Sequence, residues 1–185
     1  MTARPQPPDM DDVALMLQAR DDDESAFAEL VRRHQKKILN YFTRAGVQYD
    51  CEDLVQQTFL RLYRYRKRYV ASAKFTTFLF LLARQVWIDE LRRRKRQERL
   101  IKDLSAEPPE TQTSPQTVHA AVAGSLDLAQ ALASLPEGLR QVVELGVYQD
   151  LPYAEISEIL GIPVGTVKSR MFNALKKLRE FLERP

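Results

Sequence analysis

The segment from Leu151 to Leu182 constrains the fold most, because it contains two helical patterns joined by a turn that has no room to lengthen. Apolar residues recur at helical spacing on both sides of the turn. Gly161 suits the left-handed conformation that ends a helix, and Pro163 supplies a φ suited to the first turn of the next one. The pattern is typical of a helix-turn-helix that recognises DNA.

The second helix of this segment has an apolar face and a polar face. Val167, Met171 and Leu178, with either Ala174 or Leu175, form its predicted inner stripe. The positions predicted to face outward in its first turns are Thr166, Lys168, Ser169, Arg170 and Asn173. Such side chains suit phosphates and base edges. An ordinary helical hairpin with a solvated outer face is the alternative that the segment alone leaves open.

The composition predicts an all-α protein of one or two domains: the 185 residues include 44% hydrophobic residues and only six glycines. The single cysteine, Cys51, excludes an intramolecular disulfide and suits a reducing compartment. The proline-rich, acidic N-terminus is unlike a signal peptide, and no apolar run approaches the roughly 20 residues that a membrane helix needs. We therefore expect a soluble, cytoplasmic protein without membrane insertion.

The charged residues are segregated along the chain. Residues 31–102 hold 19 basic and 6 acidic residues, whereas residues 103–137 hold five acidic residues and no basic one. A basic block of this kind indicates a polyanionic partner, and the acidic segment beside it could screen that surface until DNA arrives. A merely solvated charged face is the alternative.

Changes in pattern along the chain predict two small helical domains joined by a flexible linker. The predicted divisions are an acidic tail with a short helix (1–23), a basic helical domain (24–100), a flexible acidic linker (101–125) and a helix-turn-helix domain (126–185). In the basic domain, an apolar stripe that includes His34 runs from Phe27 to Ala45.

A second helix of the basic domain is predicted to begin at an Asp50 N-cap and to continue to about Tyr69. The face opposite its apolar stripe mixes polar side chains such as Gln56 with Phe59 and Leu60. Such a mixed surface is typical of a protein–protein interface. Packing of Phe59 and Leu60 against a neighbouring helix of the same domain is the equal alternative.

The next helix, from Lys74 to about Gln97, is apolar nearly all round and ends in the basic run Arg92–Arg96. Aromatic residues beside a cationic track suit the stacking of unpaired bases. Core packing explains most of these aromatic residues individually, but the basic run is too dense to result from packing.

The sequence contains no motif that predicts catalysis. It has no phosphate-binding glycine loop, HExxH motif, paired-cysteine cluster or nucleophile elbow. His34 lies on an apolar stripe, and with one other histidine and one cysteine in the chain we expect a packed side chain there rather than a metal ligand. We therefore predict a protein that is not an enzyme and has no cofactor or metal.

Three blocks of the chain, in order, resemble bacterial RNA polymerase sigma factors of the extracytoplasmic-function (ECF) type, in the sigma-70 family. They are SAFAELVRRHQKKILNYF with CEDLVQQTFLRLYRYRKRY, then FTTFLFLLARQVWIDELRRRKR, then LPYAEISEILGIPVGTVKSRMFNALKKLREF. The resemblance covers nearly all of the chain outside the N-terminal tail and the linker. It implies a factor that binds core RNA polymerase and directs promoter recognition, DNA melting and transcription initiation.

The resemblance also implies which residues bind each partner. The coiled coil of the largest polymerase subunit would contact Asp53, Leu54, Gln56, Gln57, Phe59 and Arg61. The melted minus-ten strand would contact Lys74, Phe80, Arg84, Gln85, Arg92, Arg93 and Arg94. The minus-thirty-five duplex would contact Thr166, Lys168, Ser169, Arg170, Phe172 and Asn173. An anti-sigma factor is a further candidate partner.

Two rival hypotheses remain at this point. One is a stand-alone helix-turn-helix transcriptional regulator that binds duplex DNA but not the polymerase core, and whose first domain dimerises or senses a ligand. It leaves the mixed surface from Asp53 to Arg61 without a role. The other is a helical interaction protein that touches no nucleic acid, which the basic block disfavours.

Overall fold

A computed structural model describes residues 10–47, 50–104 and 123–183, and within these ranges the chain is helical and contains no strand. The eight α-helices of these ranges are α1 (Asp12–Arg20), α2 (Glu24–Arg44), α3 (Cys51–Tyr65), α4 (Phe75–Leu104), α5 (Ala123–Ser134), α6 (Glu137–Val143), α7 (Tyr153–Leu160) and α8 (Val164–Leu182). A 3₁₀ turn (Arg66–Arg68) follows α3, and a π-helical turn (Glu144–Tyr148) follows α6. The all-α prediction is confirmed.

Helices α1 to α4 form the first domain around one apolar core. The apolar stripe of α2 is buried as its periodicity predicted, with Leu30, Ile38 and Phe42 fully inaccessible. His34 on that stripe is 3% exposed, and its Nε2 atom lies 2.8 Å from a carboxylate oxygen of Asp12 in α1. Burial lowers the pKa of His34, although Asp12 opposes the shift. His34 is thus a packed residue that joins α1 to α2, as predicted.

Helices α5 to α8 form the second domain, in which α7 and α8 make the predicted helix-turn-helix. Gly161 ends α7 with a φ of +62°, a conformation that residues with a Cβ adopt only under strain. The Ser157 hydroxyl donates a hydrogen bond of 2.6 Å to the Ile162 carbonyl and so holds the turn closed. Of the two candidates for the inner stripe of α8, Ala174 is buried and Leu175 is 51% exposed.

Helix α3 begins directly after Asp50 as predicted, but two other features predicted for it are wrong. Asp50 was predicted to cap α3, but its φ is +65° and its side chain makes no capping hydrogen bond. A capping residue needs an extended backbone to direct its oxygen toward the first N–H groups, and a left-handed Asp50 does not have one. The α-helix also ends at Tyr65 rather than near Tyr69, because the chain tightens into the 3₁₀ turn Arg66–Arg68.

Helical structure extends into both ends of the stretch 101–125, which was predicted to be a flexible linker. Helix α4 continues to Leu104, and α5 begins at Ala123. The remainder of that stretch, like residues 1–9 of the predicted acidic tail, lies outside the described residues.

Candidate nucleic-acid interface

The recognition helix α8 presents four of its six predicted DNA-binding residues to solvent. Its buried stripe, formed by Val167, Met171, Ala174 and Leu178, packs into the second domain and fixes which side faces outward. The outward positions carry Lys168, Ser169, Phe172 and Asn173. The Phe172 ring is 70% exposed. The helix therefore offers an ammonium group, a hydroxyl, an aromatic ring and an amide on one accessible surface.

The other two predicted contacts, Thr166 and Arg170, are less accessible than these four. Both are half-buried. The Arg170 guanidinium lies over the backbone of Gly138 in α6, so close that a Cβ on Gly138 would be 3.2 Å from its Nη1 atom. The Thr166 carbonyl accepts a 3.1 Å hydrogen bond from the Ser169 hydroxyl. Arg170 therefore packs α8 against α6 and so supports the exposed face.

Four of the residues expected to hold a melted strand lie just before α4 or in its first half, and α4 packs against α7. The Lys74 ammonium pairs with Glu155 of α7 at 2.8 Å. Phe80 is 2% exposed, and its ring stacks edge-on against Tyr41 at 5.6 Å between centroids. Arg84 is half-buried, whereas Gln85 is exposed. The expectation that Phe80 is open to an unpaired base is therefore not met in this arrangement, because Phe80 is covered.

The basic end of α4 is ordered by one carboxylate. Glu90 is 7% exposed and accepts hydrogen bonds of 2.7 and 2.8 Å from Arg93 and of 2.6 Å from Arg94. The Arg93 hydrogen bonds, followed by those of Arg94, lower the pKa of Glu90 to about 2 despite its burial. The side chains of Arg92 and Arg93 remain 74% and 59% exposed. Glu90 thus positions two arginines while leaving the surface of the basic run accessible.

The predicted polymerase-binding residues divide between a surface and the core. Asp53, Gln56 and Gln57 are exposed on α3, whereas Leu54 and Phe59 are 1% and 6% exposed. Of the two alternatives left open for Phe59, packing within the domain is the one observed, because that side chain joins the apolar core. Arg61 is half-buried and pairs with Asp89 of α4 at 2.8 Å.

A cleft between α2 and α3 supplies the apolar part of this surface. Its lining includes Phe27 and Val31 from α2 and Gln56, Phe59, Leu60 and Tyr63 from α3. Leu60 and Tyr63 are 47% and 36% exposed, so the cleft has an apolar rim beside the exposed amides. Sequence reasoning identified Leu60 as part of a mixed surface and missed Phe27, Val31 and Tyr63, whose helical spacing also fits a core stripe.

The residues that join the two domains were also missed by sequence reasoning. Glu155 contacts α4, as described above, and Arg44 at the end of α2 contacts Glu144 and Tyr148 in the π-helical turn. The hydrogen-bonded pairs Thr77–Glu155 and Arg44–Glu144 are 78 and 100 residues apart in sequence, so they leave no local pattern. Within the described ranges, no helix is long and apolar enough to cross a membrane.

Comparison with known proteins assigns both domains to one family. Residues 30–97 match the family description Sigma-70 region 2, and residues 125–178 match Sigma-70, region 4. The chain is 36% identical over 157 residues to the ECF RNA polymerase sigma factor SigE of Mycolicibacterium smegmatis, spanning 83% of this chain and 60% of that relative. It is 32% identical over 179 residues to the ECF sigma factor RpoE of Cereibacter sphaeroides, and this match spans 92% of this chain and 94% of that relative. It is 30% identical over 174 residues to SigW of Bacillus subtilis, and that match spans 89% of this chain and 93% of SigW.

Solved structures share the fold. CnrH, solved in complex with the cytosolic domain of CnrY, superposes with a TM-score of 0.68 at 24% identity, over 93% of this chain and 97% of CnrH. RpoE from Bartonella quintana, solved in complex with the anti-sigma factor NepR, gives a TM-score of 0.68 at 21% identity, over 85% of this chain and 98% of that one.

The fold and the exposed face of α8 define a two-domain helical protein of the DNA-binding, helix-turn-helix class. SigW, RpoE of Cereibacter sphaeroides and SigF of Caulobacter vibrioides, which align over nearly their whole length, are named ECF RNA polymerase sigma factors. The chain belongs to that family, as its sequence blocks indicated, and it directs promoter-specific initiation of transcription. The stand-alone regulator is not favoured, because residues 30–97 match the Sigma-70 region 2 description.

Proposed function

We propose that residues 24–100 bind core RNA polymerase and the melted minus-ten strand, and that residues 126–185 bind the minus-thirty-five duplex. The second assignment rests on four exposed residues of α8 that lie outside the core of the domain: Lys168, Ser169, Phe172 and Asn173. In this proposal the protein makes and breaks no bonds. It acts in the cytoplasm, where the polymerase and promoter DNA are, by positioning polymerase and trapping opened DNA.

The duplex contact follows from the chemistry of the exposed α8 residues. An asparagine amide can pair with both N6 and N7 of adenine, an aromatic ring can contact the thymine methyl group, and an ammonium can donate to guanine O6 and N7. Asn173, Phe172 and Lys168 supply these three groups on one accessible face of the helix. We therefore assign base contacts to them, with Ser169 beside them and with Arg170 and Thr166 in support.

The strand contact follows from the basic run of α4. Arg92 and Arg93 keep most of their surface free for phosphates, and Glu90 holds Arg93 and Arg94 in place. Gln85 is exposed directly after the half-buried Arg84 and five residues after the buried Phe80. Capture of an extruded base would offset an unstacking cost of a few kcal/mol, so binding alone can trap the melted state.

The polymerase contact is assigned to the cleft between α2 and α3 and to the exposed side chains beside it. Its apolar rim and its exposed Gln56 and Gln57 amides combine the two kinds of surface that protein interfaces use. Asp53 lies at the same cleft and adds a negative charge. An anti-sigma factor is also a proposed partner, since relatives of the same fold were solved in complex with such proteins.

Binding to purified core polymerase tests the polymerase assignment. Gln56→Ala combined with Leu60→Ala should abolish core binding and transcription from a promoter fragment, while duplex binding and thermal stability stay unchanged. Glu158→Ala is the control, because this exposed residue lies on α7 in the other domain. If the wild-type protein binds duplex DNA tightly but not the core enzyme, the proposed function is wrong.

Duplex binding at several salt concentrations tests the assignment of α8. Lys168→Ala should alter the preferred base at one position of the site. Lys177→Ala is the matched control: it removes the same charge nine residues further on, about half a turn round the helix from Lys168. If Lys168 contacts phosphate instead, its loss would weaken all sequences equally and reduce the salt slope by about one.

A further inference from the structure

Helix α1 has no part in the surfaces assigned above, yet it packs against the chain on both sides of one loop. This connecting loop (69–74) joins the 3₁₀ turn Arg66–Arg68 to α4, and its last residue is Lys74, which is assigned to the melted strand. Residues 70–73 are exposed, with Val70 at 72%. A loop that buries so little of its middle takes its position from the residues that hold its ends.

The start of the connecting loop is held by Asp22, in the turn that follows α1. The Asp22 carboxylate accepts a 3.1 Å hydrogen bond from Arg66 and pairs with the Lys67 ammonium. The Arg66 guanidinium also lies 3.7 Å from the centroid of the Tyr63 ring and donates a 2.9 Å hydrogen bond to the Tyr63 carbonyl. Asp22 thus joins the end of α1 to the 3₁₀ turn, which leads directly into the buried Tyr69.

The backbone of Asp22 has a conformation that residues with a Cβ rarely adopt. Its φ is +69°, in the left-handed region, where aspartate and asparagine are tolerated better than most other residues. Its acidic neighbours have other partners, since Asp21 pairs with Arg20 and Asp23 caps α2. The turn therefore directs Asp22 toward the 3₁₀ turn.

Helix α1 can act as a fixed support because its own start is anchored. Asp12 lies 2.8 Å from the Nε2 atom of His34, and the His34 ring packs against the ring of Phe75, the first residue of α4, at 5.2 Å between centroids. The Arg33 guanidinium donates hydrogen bonds to Asp12 and to the Met10 carbonyl. Both ends of the connecting loop are thus joined to α1, one through Asp22 and the other through His34 and Phe75.

We propose that Asp22 is a positioning residue for strand capture: it fixes the start of the connecting loop against α1, so that Lys74 and the first turn of α4 are in place before the melted strand arrives. Asp22 acts through the 3₁₀ turn and is not itself a DNA contact. This inference rests on the proposed function, which assigns Lys74 to the strand. A loop that is already ordered saves part of the entropy cost of binding.

Asp22→Asn tests the proposal in the full-length chain bound to core polymerase. Asparagine keeps the shape of the side chain and tolerates the left-handed backbone, so this variant removes the charge alone. Asp21→Asn is the matched control, because it makes the same charge change at an exposed neighbour that pairs with Arg20 instead. Both carboxylates are exposed, so both variants should keep the thermal midpoint and the polymerase affinity of wild type.

Binding of a labelled, mixed-sequence single-stranded 20-mer measures strand capture. We expect Asp22→Asn to bind the strand about two- to fivefold more weakly than Asp21→Asn, the range that two exposed ion pairs allow. The dependence of affinity on salt should be equal in the two variants, because no phosphate contact is lost. Equal affinities overturn the proposal. Tighter binding by Asp22→Asn also overturns it, because Asp22 would then be withholding Arg66 and Lys67 from phosphates.

Lys67→Gln tests whether Asp22 acts through the 3₁₀ turn. If it does, Asp22→Asn and Lys67→Gln together should weaken strand binding by less than the product of their separate effects, as coupled residues do. Separate effects that multiply in full would overturn this route, because Lys67 and Asp22 would then act independently.

Hydrogen exchange tests the position of the loop without DNA. The Tyr69 amide donates a 3.1 Å hydrogen bond to the Arg66 carbonyl, so it should exchange severalfold faster in Asp22→Asn than in Asp21→Asn. An equal rate would show that Asp22 does not hold the turn, and the proposal would fail at its first step.

Transcription with core polymerase separates failure of this inference from failure of the proposed function. The wild-type chain and Asp21→Asn should both start transcripts from a promoter fragment. If they do so and Asp22→Asn matches Asp21→Asn in strand binding, only the positioning role is wrong. If the wild-type chain starts no transcript, the proposed function is wrong, whereas the exchange rate of the Tyr69 amide still decides whether Asp22 holds the turn.

Discussion

Replacement of Phe59 by alanine tests whether this side chain belongs to the core of the first domain or to its polymerase-binding surface. Phe59 is 6% exposed and packs in the apolar core, with one edge lining the cleft between α2 and α3. Truncation of a buried phenylalanine costs about 3–5 kcal/mol. Because the truncated site would open into the cleft, part of the cavity fills with water, and we expect the free energy of unfolding to fall by about 3 kcal/mol.

The loss should be measured as a fall in the thermal midpoint by circular dichroism. For a domain of fewer than 100 residues, about 3 kcal/mol corresponds to a fall of roughly 12 °C or more. Gln56→Ala and Leu60→Ala are matched controls on the same helix, and because both side chains are exposed they should change stability by no more than about 0.5 kcal/mol. A Phe59→Ala protein that melts within about 2 °C of the Gln56→Ala protein would show that Phe59 is not a core residue.

This result decides how binding experiments on α3 are interpreted. If Phe59→Ala unfolds the domain, its loss of polymerase binding says nothing about a direct contact. The exposed residues Gln56 and Leu60 then carry the test, because their substitution removes surface without removing core. Full retention of polymerase affinity in both of those variants would exclude the cleft as the docking surface.

Two further predictions concern one glycine and one carboxylate. Gly161→Ala should destabilise the second domain by about 1–2 kcal/mol in a thermal melt, because its φ is +62° and an added Cβ meets open space, so that backbone strain alone acts. Gly165→Ala, also in open space but inside α8 without a positive φ, should instead stabilise by up to about 1 kcal/mol, and equal effects at the two sites would refute the argument. Glu90 has a pKa lowered from 4.5 to about 2, so its contribution to stability is complete above pH 4.5 and is lost as the pH falls toward 2. The Glu90→Gln protein should therefore be less stable than wild type at neutral pH, and its free energy of unfolding should fall less between pH 4.5 and pH 2. An equally steep fall in the free energy of unfolding of both proteins over this pH range would contradict the prediction.

The helix-turn-helix could be predicted from sequence because local residues determine it. The left-handed Gly161 and the inner stripe of α8 act over a few residues, and both are found as predicted. Only the choice between Ala174 and Leu175 stayed open. Neighbouring positions on a helix differ by about 100° in direction, and only the packing partner decides which of two adjacent apolar side chains turns inward.

The same limit explains why the sequence left open whether Phe59 is exposed or packed. Phe59 and Leu60 are adjacent and both apolar, and the periodicity of α3 does not say which of them turns inward. The structure buries Phe59 and leaves Leu60 47% exposed. The junction of the two domains lies further beyond local patterns, because Glu155 and Thr77 are 78 residues apart in sequence and share no element. Such a contact can be identified only once the packing of the two domains is known.

The exposed face of α8 separates residues that fold the domain from residues that bind DNA. Phe172 is 70% exposed, so its ring contributes little to the core, whereas Arg170 packs against Gly138 and holds α8 to α6. Phe172→Ala should therefore weaken duplex binding by about 1–3 kcal/mol and relax the base preference at one position of the site. The thermal midpoint should stay unchanged. Arg170→Ala should lower binding and the midpoint together, since an arginine stem also packs apolar surface. If Phe172→Ala lowered the midpoint as much as Arg170→Ala, the aromatic ring would have a structural partner and its assignment to DNA would fail.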